Sequence, residues 1–262
     1  LKTIIKEPAF DGTVKRGAAT CPCCGYTTPA EHVRQQVQKQ RGGADDATLL
    51  TVLIDDTKNA RRFRLALPQD IYPLRRAVGR VKDLRAKPYS ETNLSPIPNE
   101  ELPYLRSIFN VQLIGVTEWG MLFSARQQVA LAVIASHIAN ISSSLKALNY
   151  DKEFSKAIQE SLALVFGKVA DRCNAFARWE PNVQCSQQLY GRQALGIVWD
   201  FGELAPLSDC AGSWNSLLEV WLSGLPNVID ANLGQAGAGK AIVEKADAAK
   251  HQLPDDCAQI YF

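Results

Sequence analysis

No stretch of this 262-residue chain approaches about 18 uninterrupted apolar residues, the length expected of a membrane-spanning helix. The most apolar helical candidate, "QQVALAVIASHIANISSSLKAL", is broken by Gln, His, Asn and a Ser triplet, so no membrane partner is expected. The opening "LKTIIKEPAFDG" has no initiator Met and lacks the charged-then-apolar plan of a secretory signal. No segment repeats at a fixed period. Cysteine is odd in number, seven in all and unevenly spread, which argues against a disulfide framework and for a reducing, cytoplasmic setting. Neither sign of charge dominates, the net being +2.

The composition is that of a folded globular chain: 46 % hydrophobic and 21 % charged residues, enough to bury a real core in one large or two small domains. Charge is nevertheless unevenly placed. Between Lys58 and Lys87 ten Lys or Arg face two Asp, a local +8 that leaves −6 for the rest of the chain. Such a window attracts nucleic acid; the alternative is a solvated face that keeps the domain in solution.

Three cysteines fall within four positions in "ATCPCCGYTTP". Cys21 and Cys24 have the C-x-x-C spacing, with Pro22 between them and Gly25 after. Turns of that spelling place two sulfurs on one zinc ion and direct backbone amides at them. Zinc takes four ligands, however, and no second C-x-x-C exists. His32 is near in sequence but would leave a three-ligand site. A reduced cysteine turn without metal is the alternative.

Residues 1–30 read as short strands and turns, with "KTII" and "TVKRG" before the knuckle. A polar helix follows from Pro29 to Gln40. "TLLTVLIDD" reads as a strand, "RRFRLALP" as its hairpin partner, and a basic helix comes next. In "KPYSETNLSPIPNEELP", Pro88, Pro96, Pro98 and Pro103 mark an extended connection. The second half is mainly helical. Ala130, Ile134, Ile138, Ile141, Leu145 and Leu148 recur at helix spacing, as do Ile158, Leu162, Val165, Val169, Cys173 and Phe176, with Asp151 as N-cap. A third helix starts at Ser213 and buries Leu217, Leu218, Trp221 and Leu222, with "LPNVIDANL" as its exit. "AIVEKA" and "AQIYF" read as strands.

Chemistry is sparse. "GQAGAGKA" matches G-x-x-x-x-G-K at Lys240, but Ala241 stands where a phosphate loop needs Ser or Thr. His32, His137 and His251 are scattered, and His137 reads as a core or boundary residue. In "GRQALGIVWDFGELAP", Arg192, Trp199, Asp200 and Glu203 could line a pocket for a polar substrate. The alternative is a buried strand or short helix with charges at its ends.

Four segments, "GTVKRGAATCPCCGYTTP", "NLSPIPNEELPYLRSIFNVQLIGVTEWGMLFSARQQVAL", "YGRQALGIVWDFGELAP" and "ADAAKHQLPDDCAQIYF", resemble the large zinc-ribbon-containing adenine-specific DNA methylases of bacteria, often found in phage-defence loci. The likeness covers nearly the whole chain. It implies an α+β, mainly helical fold: a partial zinc ribbon over 1–30, a basic α/β insert over 31–98, a helical region over 99–230, and the truncated start of a Rossmann-like catalytic segment over 231–262. The family's S-adenosylmethionine loop, the second cysteine pair and the Asp-Pro-Pro-Tyr tetrapeptide are absent from this chain. The resemblance therefore implies the central portion of an S-adenosylmethionine-dependent adenine-N6 methyltransferase, inactive alone, with a zinc site that Cys21 and Cys24 half supply. Asp247 would meet the cofactor's adenine. Arg61, Arg62, Arg64, Arg75, Arg76 and Arg80 would hold double-stranded DNA, from which the target base must be flipped. Further subunits of a defence system are a second class of partner, and a non-catalytic zinc-ribbon module that binds DNA or protein is the alternative function.

Overall fold

The computed structural model describes residues 12–41, 43–56, 59–90, 92–105 and 108–233. Val14–Lys15 (β1), Ala18–Thr20 (β2) and Thr27–Thr28 (β3) form a small antiparallel sheet in that order, with the cysteine turn between β2 and β3. Helix α1 (Ala30–Lys39) follows; Val33 and Val37 are its half-buried residues, and Val37 reaches the main core. After a 3₁₀ turn, Gly43–Asp46, come strands β4 (Thr51–Asp56) and β5 (Asn59–Leu65). They pair antiparallel, with Val52 opposite Arg64 and Leu53 opposite Phe63, as the β-branched pattern predicted.

Helix α2 (Pro68–Arg85) opens with Pro68, whose missing N–H is no loss at a first helical position. Two 3₁₀ helices, Asn110–Ile114 and Trp119–Leu122, precede α3 (Ala125–Ala147) and α4 (Lys152–Arg172). Ser124 caps α3 reciprocally with Gln127: the hydroxyl accepts the Gln127 N–H, and the Gln127 Oε1 accepts the Ser124 N–H. Asp151 caps α4 by accepting the Phe154 N–H at 2.9 Å, as expected from sequence. Strands β6 (Trp179–Glu180) and β7 (Cys185–Ser186) form a small antiparallel pair, and α5 (Trp214–Leu233) is the last described element. The fold class is α+β with small antiparallel sheets; the strands expected at 241–246 and 258–262 lie outside the described residues.

α3 and α4 form an antiparallel hairpin. Ser142 bonds Gln159, Gln159 reaches the Ile138 and Ala139 carbonyls, and Leu131 packs with Val169 and Cys173. α3 also packs against α2. By length and composition α3 could cross a membrane, with mean hydropathy 1.3, despite the polar interruptions read in its sequence. One such helix is weak evidence for a span, and here its Leu131, Ala132, Ile134 and Ile138 are buried within the protein.

The largest core is built from irregular chain. Leu102, Val111, Ile114, Val116, Met121 and Leu122 meet Ala175, Phe176, Leu189 and Leu195. Short backbone bonds hold these segments together: Leu102 N–H to the Thr117 carbonyl, Leu195 N–H to that of Ile108, and Ala175 N–H to that of Leu122, each 2.8 Å. Gly115 ends the first 3₁₀ helix at φ +92°, and a Cβ there would press on the Gln38 backbone of α1. Glycine serves both needs at once.

The chain divides into two compact units, Leu1–Trp221 and Leu222–Phe262, the boundary falling inside α5. In the first unit Trp214 and Leu217 pack beside Leu131, Val169 and Cys173. In the second, Leu222, Val228 and Ile229 are exposed. Two expectations are corrected here. α5 continues past Pro226 to Leu233 instead of ending there, because a proline costs a helix one internal bond without always stopping it. Leu222 is exposed, and Leu217, Leu218 and Trp221 are half-buried instead of buried.

Candidate functional site

The cysteine turn closes tightly. The Cys21 N–H donates to the Tyr26 carbonyl and the Gly25 N–H to the Cys21 carbonyl, each at 2.9 Å. Gly25 takes φ +73°, a conformation that side chains oppose. Backbone N–H groups of Cys24 and then Cys23 bond the Cys21 sulfur and hold its thiol below its ordinary value. Amides aimed at sulfur favour the thiolate, the form that binds metal. Cys21, Cys23 and Cys24 are exposed and free of disulfides. The donor set thus suits zinc in kind but not in number: among the described residues no group of three or more His, Cys, Asp or Glu is placed to hold a metal ion, and His32 is exposed on α1. Cys21 and Cys24 would supply two thiolates of a tetrahedron.

The basic window covers β5, the second strand of the ribbon, and α2. Its arginines divide into two groups. Arg64 donates two N–H bonds to Asp70, at 2.6 and 2.8 Å, while Asp70 also accepts the Leu67 N–H. The Arg64 fork, first of all, and the Leu67 amide hold the Asp70 carboxyl down at about 2. Arg64 is therefore a clamp between ribbon and helix, its guanidinium already engaged by a carboxylate. Arg61 donates to the Gln184 carbonyl at 3.1 Å. Arg62, Arg75, Arg76 and Arg80 are exposed, and among the described residues no carboxylate forms an ion pair with them. Arg76 instead lies 5.9 Å from the ring centre of Tyr72.

The expected pocket is not assembled. Residues 192–203 form neither strand nor helix; they run irregularly, with Leu195, Ile197 and Phe201 packed on the core. Arg192, Trp199 and Asp200 are exposed, Trp199 by 74 %. Glu203 forms a two-bond fork with Arg126 of α3, at 2.8 and 3.0 Å. Leu195, Ile197 and Phe201 take the inward positions, while Trp199 and Asp200 face solvent. Arg126 and Glu203 are 77 positions apart, and nothing in either's neighbours signals the pairing.

Other candidates resolve simply. Cys173 is fully buried, and that burial pushes its thiol up to about 12, with smaller contributions from Glu203 and Cys210. It is a core residue, as its place on the helix stripe implied, and a poor nucleophile. His137 is exposed, not a core or boundary residue. An open cleft of about 420 Å³ between α3 and α4 is lined by Ala135, Ile138, Ala163 and Phe166 with Lys156 and Glu160 at its sides, and carries no catalytic constellation. Asp247, the "GQAGAGKA" loop, His251 and Cys257 lie outside the described residues. Comparison with protein-family models, curated proteins and solved structures finds no match.

Proposed function

We propose that this chain is the DNA-gripping central part of an S-adenosylmethionine-dependent adenine-N6 DNA methyltransferase, with no catalytic activity by itself. One observation carries the DNA contact: Arg62, Arg75, Arg76 and Arg80 project from the ribbon and α2 without carboxylate partners among the described residues. Unpaired guanidiniums on one basic segment suit phosphate oxygens, which position a duplex, and base edges, which specify it. Likeness of the four segments to the methylase family supports the enzyme assignment. Chemistry would then come from elements beyond the described residues: the cofactor supplies the methyl group, and this segment's contribution is to bind and orient the DNA that presents the adenine. The partner is double-stranded DNA, with other subunits of a defence system as a second class.

Replacing Arg62, Arg75, Arg76 and Arg80 by Ala should weaken duplex binding and flatten its dependence on salt, by about one slope unit for each phosphate no longer neutralised. Unchanged binding would reduce the window to a solubilising surface. The enzyme assignment is tested by methyl transfer: a protein that joins this chain to the cofactor loop and the Asp-Pro-Pro-Tyr tetrapeptide should move label from S-adenosylmethionine to adenine N6 of duplex DNA, and no transfer rejects it.

Zinc separates this reading from a non-catalytic ribbon adaptor. With no group of three or more His, Cys, Asp or Glu placed to hold a metal among the described residues, and Cys21 and Cys24 offering two sulfurs, metal analysis should find weak, substoichiometric zinc that is lost in Cys21→Ser. One tightly held zinc per chain would favour the adaptor.

A further inference from the structure

α2 turns one face to the protein and the other to solvent. Ala77 is buried, with Ile71, Leu74, Val81 and Leu84 half-buried around it. At 3.6 residues per turn, Tyr72, Arg76 and Gly79 fall within about 60° of one another on the opposite side. Arg75 and Lys82 flank that line on one side and Arg80 on the other, all exposed. Asp83 is the one carboxylate on this face, near the end of the helix.

Two features of this face ask for a ligand more specific than a duplex backbone. Tyr72 keeps 63 % of its surface in solvent among cations, even with Arg76 near its ring. Bases in a duplex hide their faces in the stack, so only an unpaired base can lie on such a ring. Gly79 sits in the middle of the helix, where glycine is unfavourable. It is not a turn or a cap, and among the described residues no atom beyond its chain neighbours and its own helix backbone lies within 4 Å of where its Cβ would stand. Nothing among the described residues requires a glycine there. A strand lying against the helix would.

We propose that the outward face of α2 seats an unpaired nucleic-acid strand: a base stacks on Tyr72, Arg75, Arg76, Arg80 and Lys82 hold the neighbouring phosphates, and Gly79 lets the sugar–phosphate chain approach the helix backbone. Charge complementarity selects a polyanion, and the exposed ring selects one with free base faces. This inference rests on the nucleic-acid reading of the basic window. It adds that the window takes the single-stranded form, the state DNA reaches locally when a base leaves the stack.

The test uses the full 262-residue chain and two labelled probes, an oligothymidylate and a duplex, titrated by fluorescence anisotropy. Tyr72→Ala should lower affinity for oligothymidylate about tenfold more than for the duplex, and Tyr72→Phe, which keeps the ring, should restore it. Gly79→Ala should raise the melting temperature of the protein yet weaken oligothymidylate binding, a combination that a merely structural glycine would not give. If Arg75→Ala/Arg76→Ala weakens both probes while Tyr72→Ala and Gly79→Ala bind oligothymidylate like the parent, the single-strand seat is overturned and the DNA-contact reading survives. If none of these variants changes binding to either probe, both fall.

Discussion

Arg64 and Asp70 join the β4–β5 ribbon to α2 through one carboxylate, which accepts two guanidinium N–H groups and the Leu67 amide. Because the folded carboxyl titrates at about 2, below the ordinary value of about 3.9, its contribution to stability is complete above that ordinary value and is lost as pH falls through 2. Circular-dichroism melts between pH 5 and pH 2 should therefore show a steeper acid loss for the parent chain than for Asp70→Asn; equal slopes would mean that the fork does not form in solution. The cysteines give a second expectation. Cys21 is exposed and its thiol lowered by backbone amides, whereas Cys173 is buried and pushed up to about 12. Iodoacetamide at neutral pH should label Cys21 rapidly in the native protein and spare Cys173, as read by peptide mass spectrometry. Rapid labelling of Cys173 would show that the α4 end of the core opens.

Among the elements, the α3–α4 hairpin and the irregular core carry different loads. Leu122 is fully buried where the second 3₁₀ helix meets residues 175 and 176, while Leu164 is 59 % exposed on α4. Leu122→Ala should cost about 2–5 kcal/mol in urea denaturation, the range for emptying a buried leucine site. Leu164→Ala should stay within about 0.5 kcal/mol, although it lies in the more regular structure. Equal losses would show that helix content, not the irregular core, holds this unit together. The ribbon is a contrast. A lone two-stranded hairpin is marginal in water, and this one leaves Phe63 and Leu65 exposed, so the Arg64–Asp70 clamp and the Arg61 bond to Gln184 matter to its position.

At the scale of the whole molecule, the proposed DNA contact is carried by the exposed arginines of the ribbon and α2. Duplex affinity measured across a salt series is the most direct reading of that surface. The Arg62, Arg75, Arg76 and Arg80 variant should show weaker affinity and a shallower slope while melting like the parent, since these four side chains make no ion pair among the described residues. A variant that also unfolds would point to a structural role for these arginines.

Local features were legible from residue order. The 3.6-residue recurrence from Ile158 to Val169 and the cap at Asp151 specify α4, and the β-branched run before Asp55 specifies β4, because each depends on neighbours a few positions away. The cysteine turn was equally readable, since Cys21, Cys23, Cys24 and Gly25 make its bonds among themselves and Tyr26. The packing of Leu102 and Val111 against Phe176 and Leu195, and the fork from Arg126 to Glu203, were not. Those pairings join segments with no periodic pattern that lie far apart in the chain, 77 positions for the fork, and many partners of the same chemistry compete for each side chain. The same physics explains the arginines: all ten cations of the window were visible in the chain, but Arg64 was separated from Arg62 only when the helix start brought Asp70 within 2.6 Å.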